Sequence, residues 1–170
     1  NSTRWLTGGD AVAGHPRLPN YHPGFGAIDL RQAIPNPAAP DLRLEFLDTW
    51  QDGQKQFART GQRFRFQVPI SGGAWLRICL TWTDLPARAL QNNLNLFVQH
   101  LSSGQKWVGN EALPMALNIP DPDNNVEVIR LTDPPAGQYL IQISATNLLQ
   151  GPQDFALVVT GQLAGELAQV

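Results

Sequence analysis

Apolar and polar residues alternate in short runs along most of the chain after residue 40. The runs with apolar side chains at every second position are 42–46, 64–68, 76–82, 94–98, 126–131, 139–143 and 155–159. A period of two residues is that of a β-strand with one buried face. Turn sequences rich in Gly, Pro and Ser separate the runs, at 71–73, 102–104, 134–137 and 151–152. The pattern predicts an all-β fold, an antiparallel jelly-roll sandwich.

The first 40 residues have a different character, rich in Gly, Pro and Asn. They contain one helical signal, Gly26–Ile34, in which Asp29 is a plausible N-cap and Pro35 ends the helix. A helix of little more than one turn is marginal in water by itself. Its apolar side chains therefore need a covering surface, either the sandwich or a further domain. Residues 36–40 are interpreted as a stiff linker.

Composition and charge narrow the function classes. The chain of 170 residues has a formal net charge of −2 and no basic run, so nucleic acid and anionic membranes are poor partners. No apolar stretch approaches the length of a membrane span. The single cysteine, Cys79, lies in an apolar run, where a buried, inert thiol is expected. The chain opens on Asn1 without an initiating Met, and we expect it to be a piece of a longer precursor.

Two blocks of sequence carry a resemblance to a known family. The first block, Pro19–Leu30, contains a Gly-Phe-Gly turn before the short helical signal and resembles the end of a subtilisin-like catalytic domain. The second block is similar, in order and spacing, to the C-terminal jelly-roll domain of large subtilases. Its segments are 80–84, 92–96, 108–110, 124–127, 135–139 and 151–157.

The resemblance implies a division of the chain and a role for it. Residues 1–35 would be the remnant of a subtilisin-like catalytic domain, 41–163 the jelly-roll sandwich, and 164–170 a tail. The implied role is that of a non-catalytic accessory domain which packs on and stabilises the upstream catalytic domain of a secreted serine endopeptidase. The implied location is extracellular or in the cell envelope.

The residues for peptide hydrolysis are missing from the sequence. The aspartate, histidine and serine motifs of the family do not occur, and there is no G-x-S-x-G elbow. The histidines, His15, His22 and His100, lie outside any triad motif, and Ser71 before two glycines fits a hairpin turn. Gly24-Phe25-Gly26 lacks the preceding strand and third glycine of a nucleotide loop. We therefore expect no catalysis by this chain alone.

A calcium site is the one cofactor that the sequence suggests. One long connection carries several oxygen side chains in or beside it: Glu111, Asn118, Asp121, Asp123, Asn125 and Glu127. Carboxylate and amide oxygens are the ligands that Ca²⁺ prefers, and the candidate ligands are Glu111, Asp121, Asp123 and Asn125. Relatives tend to have aspartates where this chain has Asn93 and Asn95, which weakens the case. The alternative is that these side chains hydrogen-bond the backbone of their own loop.

Two further classes remain open. Five tryptophans suggest sugar stacking, although Trp82 is in phase with a predicted core strand, and Trp75 and Trp107 flank turns. The domain would then be a binding module for protein or glycan partners. A self-sufficient hydrolase is the third class. A contiguous exposed aromatic or apolar patch would favour the binding module.

Overall fold

The structure, a computed structural model, describes residues 3, 4, 6, 24–30, 34, 42–50, 52–110 and 119–170. Its regular elements are β-strands. In chain order they are β1 (Arg43–Asp48), β2 (Arg63–Ile70), β3 (Trp75–Thr81), β4 (Asn92–His100), β5 (Lys106–Val108), β6 (Val126–Thr132), β7 (Gly137–Leu148), β8 (Ala156–Gly161) and β9 (Ala168–Gln169). Within these described residues, no helix is long and apolar enough to cross a bilayer.

The strands form two antiparallel sheets packed as a sandwich. One sheet has the order β1-β8-β3-β6 and the other β5-β4-β7-β2-β9. The chain crosses repeatedly between the sheets, so that β8 returns beside β1 and β7 returns beside β2. This path is that of a jelly roll, in which two Greek keys interlock. The predicted all-β antiparallel sandwich is confirmed.

The core lies between the sheets and is built from alternate strand residues. Leu76, Ile78 and Leu80 on β3 are fully buried, as the alternation predicts. The facing sheet contributes the inward side chains of three strands: Phe64, Phe66, Val68, Leu94, Leu96, Val98, Tyr139, Ile141 and Ile143. Each such side chain contributes about 1.5–3 kcal/mol through removal from water. The core therefore holds the two sheets together without a disulfide.

An aromatic cluster closes one end of the sandwich. The Phe57 ring lies 4.8 Å from that of Phe64, edge to face, and 5.5 Å from that of Phe155. Backbone hydrogen bonds in both directions join Phe57 to Gln153, and Thr49 bonds the backbone of Phe155. These contacts fix the long connection between β1 and β2 over the open end of the core.

Some elements differ from the sequence expectation. β5 and β9 were not predicted, because three and two residues are too few to show a period. β9 pairs with β2 and lies within 164–170, which the sequence suggested to be a tail. Of the predicted helical turn, residues 31–33 lie outside the described part. Among the described residues of that turn, Leu30 has 3₁₀ geometry, and the Ile34 N–H donates to the Leu30 carbonyl at 3.0 Å.

Candidate functional site

The outward side of the four-stranded sheet is an apolar face. Pairing in register places Phe46, Val158, Cys79 and Val128 in one row across β1, β8, β3 and β6. Phe46 stands at the edge of this row and is 71% exposed. Outward apolar residues on a sheet are unusual where water is the only neighbour, so the row is a candidate contact surface. We call this outward side the apolar face.

The block that resembles the end of a protease lies on part of the apolar face. Arg130 of β6 donates hydrogen bonds to the Thr3 hydroxyl and, at 3.4 Å, to the Phe25 carbonyl. Thr3 itself donates to that same carbonyl at 2.5 Å. Arg4 and Ala27 pair through two backbone hydrogen bonds, of 2.8 and 3.0 Å. The two described stretches of this segment are therefore joined to each other and to the sheet.

Two arginines and one buried acid determine the electrostatics of this contact. Arg77 and Arg130 are direct cross-strand partners, and like charges so placed repel. Burial lowers the pKa of both guanidinium groups, and the neighbouring Arg130 lowers that of Arg77 further. Asp29, which is only 7% exposed, raises the pKa of Arg77. The acid of the segment thus partly offsets the repulsion within the sheet.

Cys79 lies in the middle of the apolar face and is buried, as the sequence predicts. Burial raises the pKa of its thiol, which keeps the thiol protonated and unreactive at neutral pH.

The outward side of the five-stranded sheet is different and is called the polar face. One cross-strand row contains Lys106, Gln99 and Leu140, and the next contains Val108, Phe97 and Gln142. Arg65 continues the second row, and its Nε donates to Gln142 Oε1 at 2.9 Å. A cavity of about 420 Å³ lies over β4, β5 and β7 between these rows.

Three of the four predicted calcium ligands, Asp121, Asp123 and Asn125, lie in the described structure. Glu111 lies outside the described residues. Both oxygens of Asp121 accept hydrogen bonds within the loop, from the backbone of Asp123 and Asn124 and from the Asn110 and Asn124 amides, at 2.6–3.2 Å. Asn125 donates to the Trp82 carbonyl at 2.9 Å. The described part of the chain contains no group of three His, Cys, Asp or Glu residues placed to hold a metal.

Glu127 lies instead in the interior, between the sheets. Its Oε2 accepts a hydrogen bond from the Leu96 N–H at 2.5 Å, which links β6 to β4. Burial raises its pKa to about 8, against the effect of the Leu96 bond and with a smaller contribution from Asp121. Gly109 faces this carboxyl so closely that a Cβ would lie 2.2 Å from Oε2. In the sequence, the sign of this buried carboxyl is an acidic residue at an inward position of an otherwise apolar strand.

Three buried oxygens near this end have no hydrogen-bond partner among the described residues: Glu127 Oε1, Asn93 Oδ1 and Asn95 Oδ1. Asn95 is also adjacent to Leu96, whose N–H binds the Glu127 carboxyl. Asn95 lies between the inward residues Leu94 and Leu96, so its side chain is on the outer side of β4, where its amide donates to the Thr146 hydroxyl. Glu127 lies on the inner side, so these oxygens do not form one site. A buried acceptor without a partner is costly.

The histidine that the structure describes serves the fold. His100 is buried; its Nδ1 lies 2.9 Å from Ser103 Oγ and its Nε2 lies 3.3 Å from the Ala136 carbonyl. The partner of Nε2 is thus a backbone carbonyl, whereas a catalytic histidine is oriented by a carboxylate. Gly137 passes so close that a Cβ would lie 2.4 Å from Nε2. His15 and His22 lie outside the described residues.

Asn92 opens the Asn-Asn-Leu-Asn-Leu segment and organises the same end as the aromatic cluster. Its amide donates to the Gln150 carbonyl at 2.8 Å and to Gln153 Oε1 at 2.7 Å. Its Oδ1 accepts from the backbone of Leu149 and Gln150, and its own carbonyl accepts from Trp82 Nε1 at 2.9 Å. Asn92 of this segment therefore has a structural role.

The tryptophans divide between core and surface. Trp82 is 4% exposed, as predicted for the core. Trp75 is half-buried beneath the Arg77 guanidinium, 4.8 Å from its ring, and Trp107 stacks on Tyr139 at 6.1 Å. Trp50, which the sequence did not single out, is 66% exposed. Trp5 lies outside the described residues.

Comparison with known proteins gives one informative similarity. No protein-family model matches the chain. It is 30% identical over 149 residues to a Serine protease/ABC transporter B family protein, tagA, of Dictyostelium discoideum. The match covers 82% of this chain and 8% of that protein. The chain is thus similar to a small part of a protein named as a protease.

Proposed function

We propose that the chain is a non-catalytic, C-terminal accessory domain of a secreted subtilisin-like serine endopeptidase. It packs on the catalytic domain and stabilises it. The seating of the protease-like block on the apolar face, through Arg130 and Phe25, is the observation that carries the proposal. The similarity to a small part of a protease-named protein is compatible with it.

The remainder of the apolar face supplies the contact area. Cys79 and Val128 of the outward row are already buried, whereas Phe46 and, in part, Val158 remain exposed. An upstream catalytic domain could bury these two apolar side chains against its own surface. Burial of that surface would stabilise both partners by about 25 cal/mol per Å². Peptide hydrolysis itself would be performed by residues outside this chain.

A surface substitution in the full-length enzyme tests this role. Phe46→Ser should leave the melting temperature of the isolated chain nearly unchanged, because Phe46 is 71% exposed there. In the full-length enzyme it should shorten the half-life of peptidase activity at elevated temperature several-fold. Leu149→Ser, at another exposed apolar residue (68%), is the matched control. Equal half-lives for both variants would reject the packing role, as would full stability of an enzyme that lacks 41–170.

A further inference from the structure

The groove on the polar face has the size and lining of a ligand site. Its cavity of about 420 Å³ falls in the range of small-ligand pockets. Its outward-facing lining residues are Phe97, Gln99, Lys106, Leu140 and Gln142. They come from three adjacent strands, so the groove crosses β5, β4 and β7 and does not follow any one of them.

The charge of this sheet is of one sign. None of the strands β2, β4, β5, β7 and β9 contains Asp or Glu, whereas Arg63, Arg65 and Lys106 are all exposed on them. The whole chain has a net charge of −2. The excess positive charge is therefore local to this face and is not a consequence of overall composition. A local field of this kind attracts anions.

The neutral side chains of the groove favour sugar hydroxyls. Gln99 and Gln142 bring amide groups, each of which can both donate and accept hydrogen bonds. Phe97 and Leu140 bring apolar surface between them, against which the C–H face of a pyranose ring can lie. An extended peptide that adds a strand needs the unpaired edge of a sheet, whereas this groove crosses the outward side of three strands whose backbones pair with one another.

We propose that this groove binds an acidic polysaccharide, a sugar chain that carries carboxylates. Lys106 and Arg65 pair with the carboxylates, and Gln99 and Gln142 form hydrogen bonds with the hydroxyls. Phe97 packs against one sugar ring. The inference is independent of the accessory role, because the groove and the apolar face lie on opposite sheets.

Affinity electrophoresis or calorimetry of the 170-residue chain against polygalacturonate tests the proposal. Neutral dextran and poly-L-glutamate are the comparison polymers. Polygalacturonate should bind and should bind more weakly as salt rises, because the charges at the groove are exposed. Lys106→Gln and Gln99→Ala should each weaken binding about three- to tenfold, which corresponds to the loss of one contact. Dextran should show no binding.

Arg88→Gln is the matched control, since it removes one exposed cation from the loop before β4. It should leave polygalacturonate binding unchanged. Absence of binding to polygalacturonate at low salt would overturn the proposal. So would equal affinity for poly-L-glutamate, which would mean an acidic peptide ligand. The same loss in Arg88→Gln as in Lys106→Gln would indicate charge attraction without a site. None of these outcomes alters the half-life test of the apolar face.

Discussion

The two outward faces of the sandwich are made by the same kind of alternation yet have opposite chemistry. On the four-stranded sheet the outward row is Phe46, Val158, Cys79 and Val128, with a segment of the same chain seated beside it. On the five-stranded sheet the outward rows carry amides and cations around a groove. An apolar face is suited to a permanent protein neighbour and a polar groove to an exchangeable ligand.

The largest expected effect concerns Glu127, which joins the two sheets. Its pKa is raised from 4.5 to about 8, so the fold favours the protonated form. Its contribution to stability is complete below about pH 4.5 and is lost as pH rises through 8, by on the order of a few kcal/mol. Urea denaturation between pH 5 and 8 should show this decline. Glu127→Gln should be much flatter, and an equal slope in both would contradict the assignment.

The next effect concerns the segment on the apolar face. Arg130→Gln removes the charged donor to Thr3 and Phe25, and such bonds contribute about 1.5–3 kcal/mol. The relief of repulsion with Arg77 offsets part of that loss. Hydrogen exchange of the Ala27 amide, which is bonded to the Arg4 carbonyl, should become several-fold faster. Unchanged exchange at Ala27 would mean that the segment is held by other contacts.

The smallest effect is expected on the polar face. Arg65→Gln removes an exposed side chain that donates to Gln142, so the free energy of unfolding should change by no more than about 0.5 kcal/mol. The same protein should bind polygalacturonate more weakly. A large loss of stability would show that the polar face contributes to folding, and it would contradict the difference in role between the two sheets.

The sequence alone predicted the strands, their turns and the inward residues such as Leu76, Ile78 and Leu80, because a period of two is a local property. It also identified the oxygen-rich connection after β5 and the buried Cys79. The same local signal was too weak for β5 and β9, and it could not show that Asp121 would use both oxygens within its own loop.

Tertiary structure decided which side of each strand meets the core. Alternation places Leu44 and Phe46 on one side of β1, but only the pairing with β8 turns that side outward. The burial of Glu127 depends on Leu96 and Gly109, which are distant along the chain. The register of β4 with β5 and β7 likewise brings Lys106, Gln99 and Leu140 into one row. Local sequence fixes the period of a strand, whereas its partners and their register are long-range contacts that appear only in the assembled sandwich.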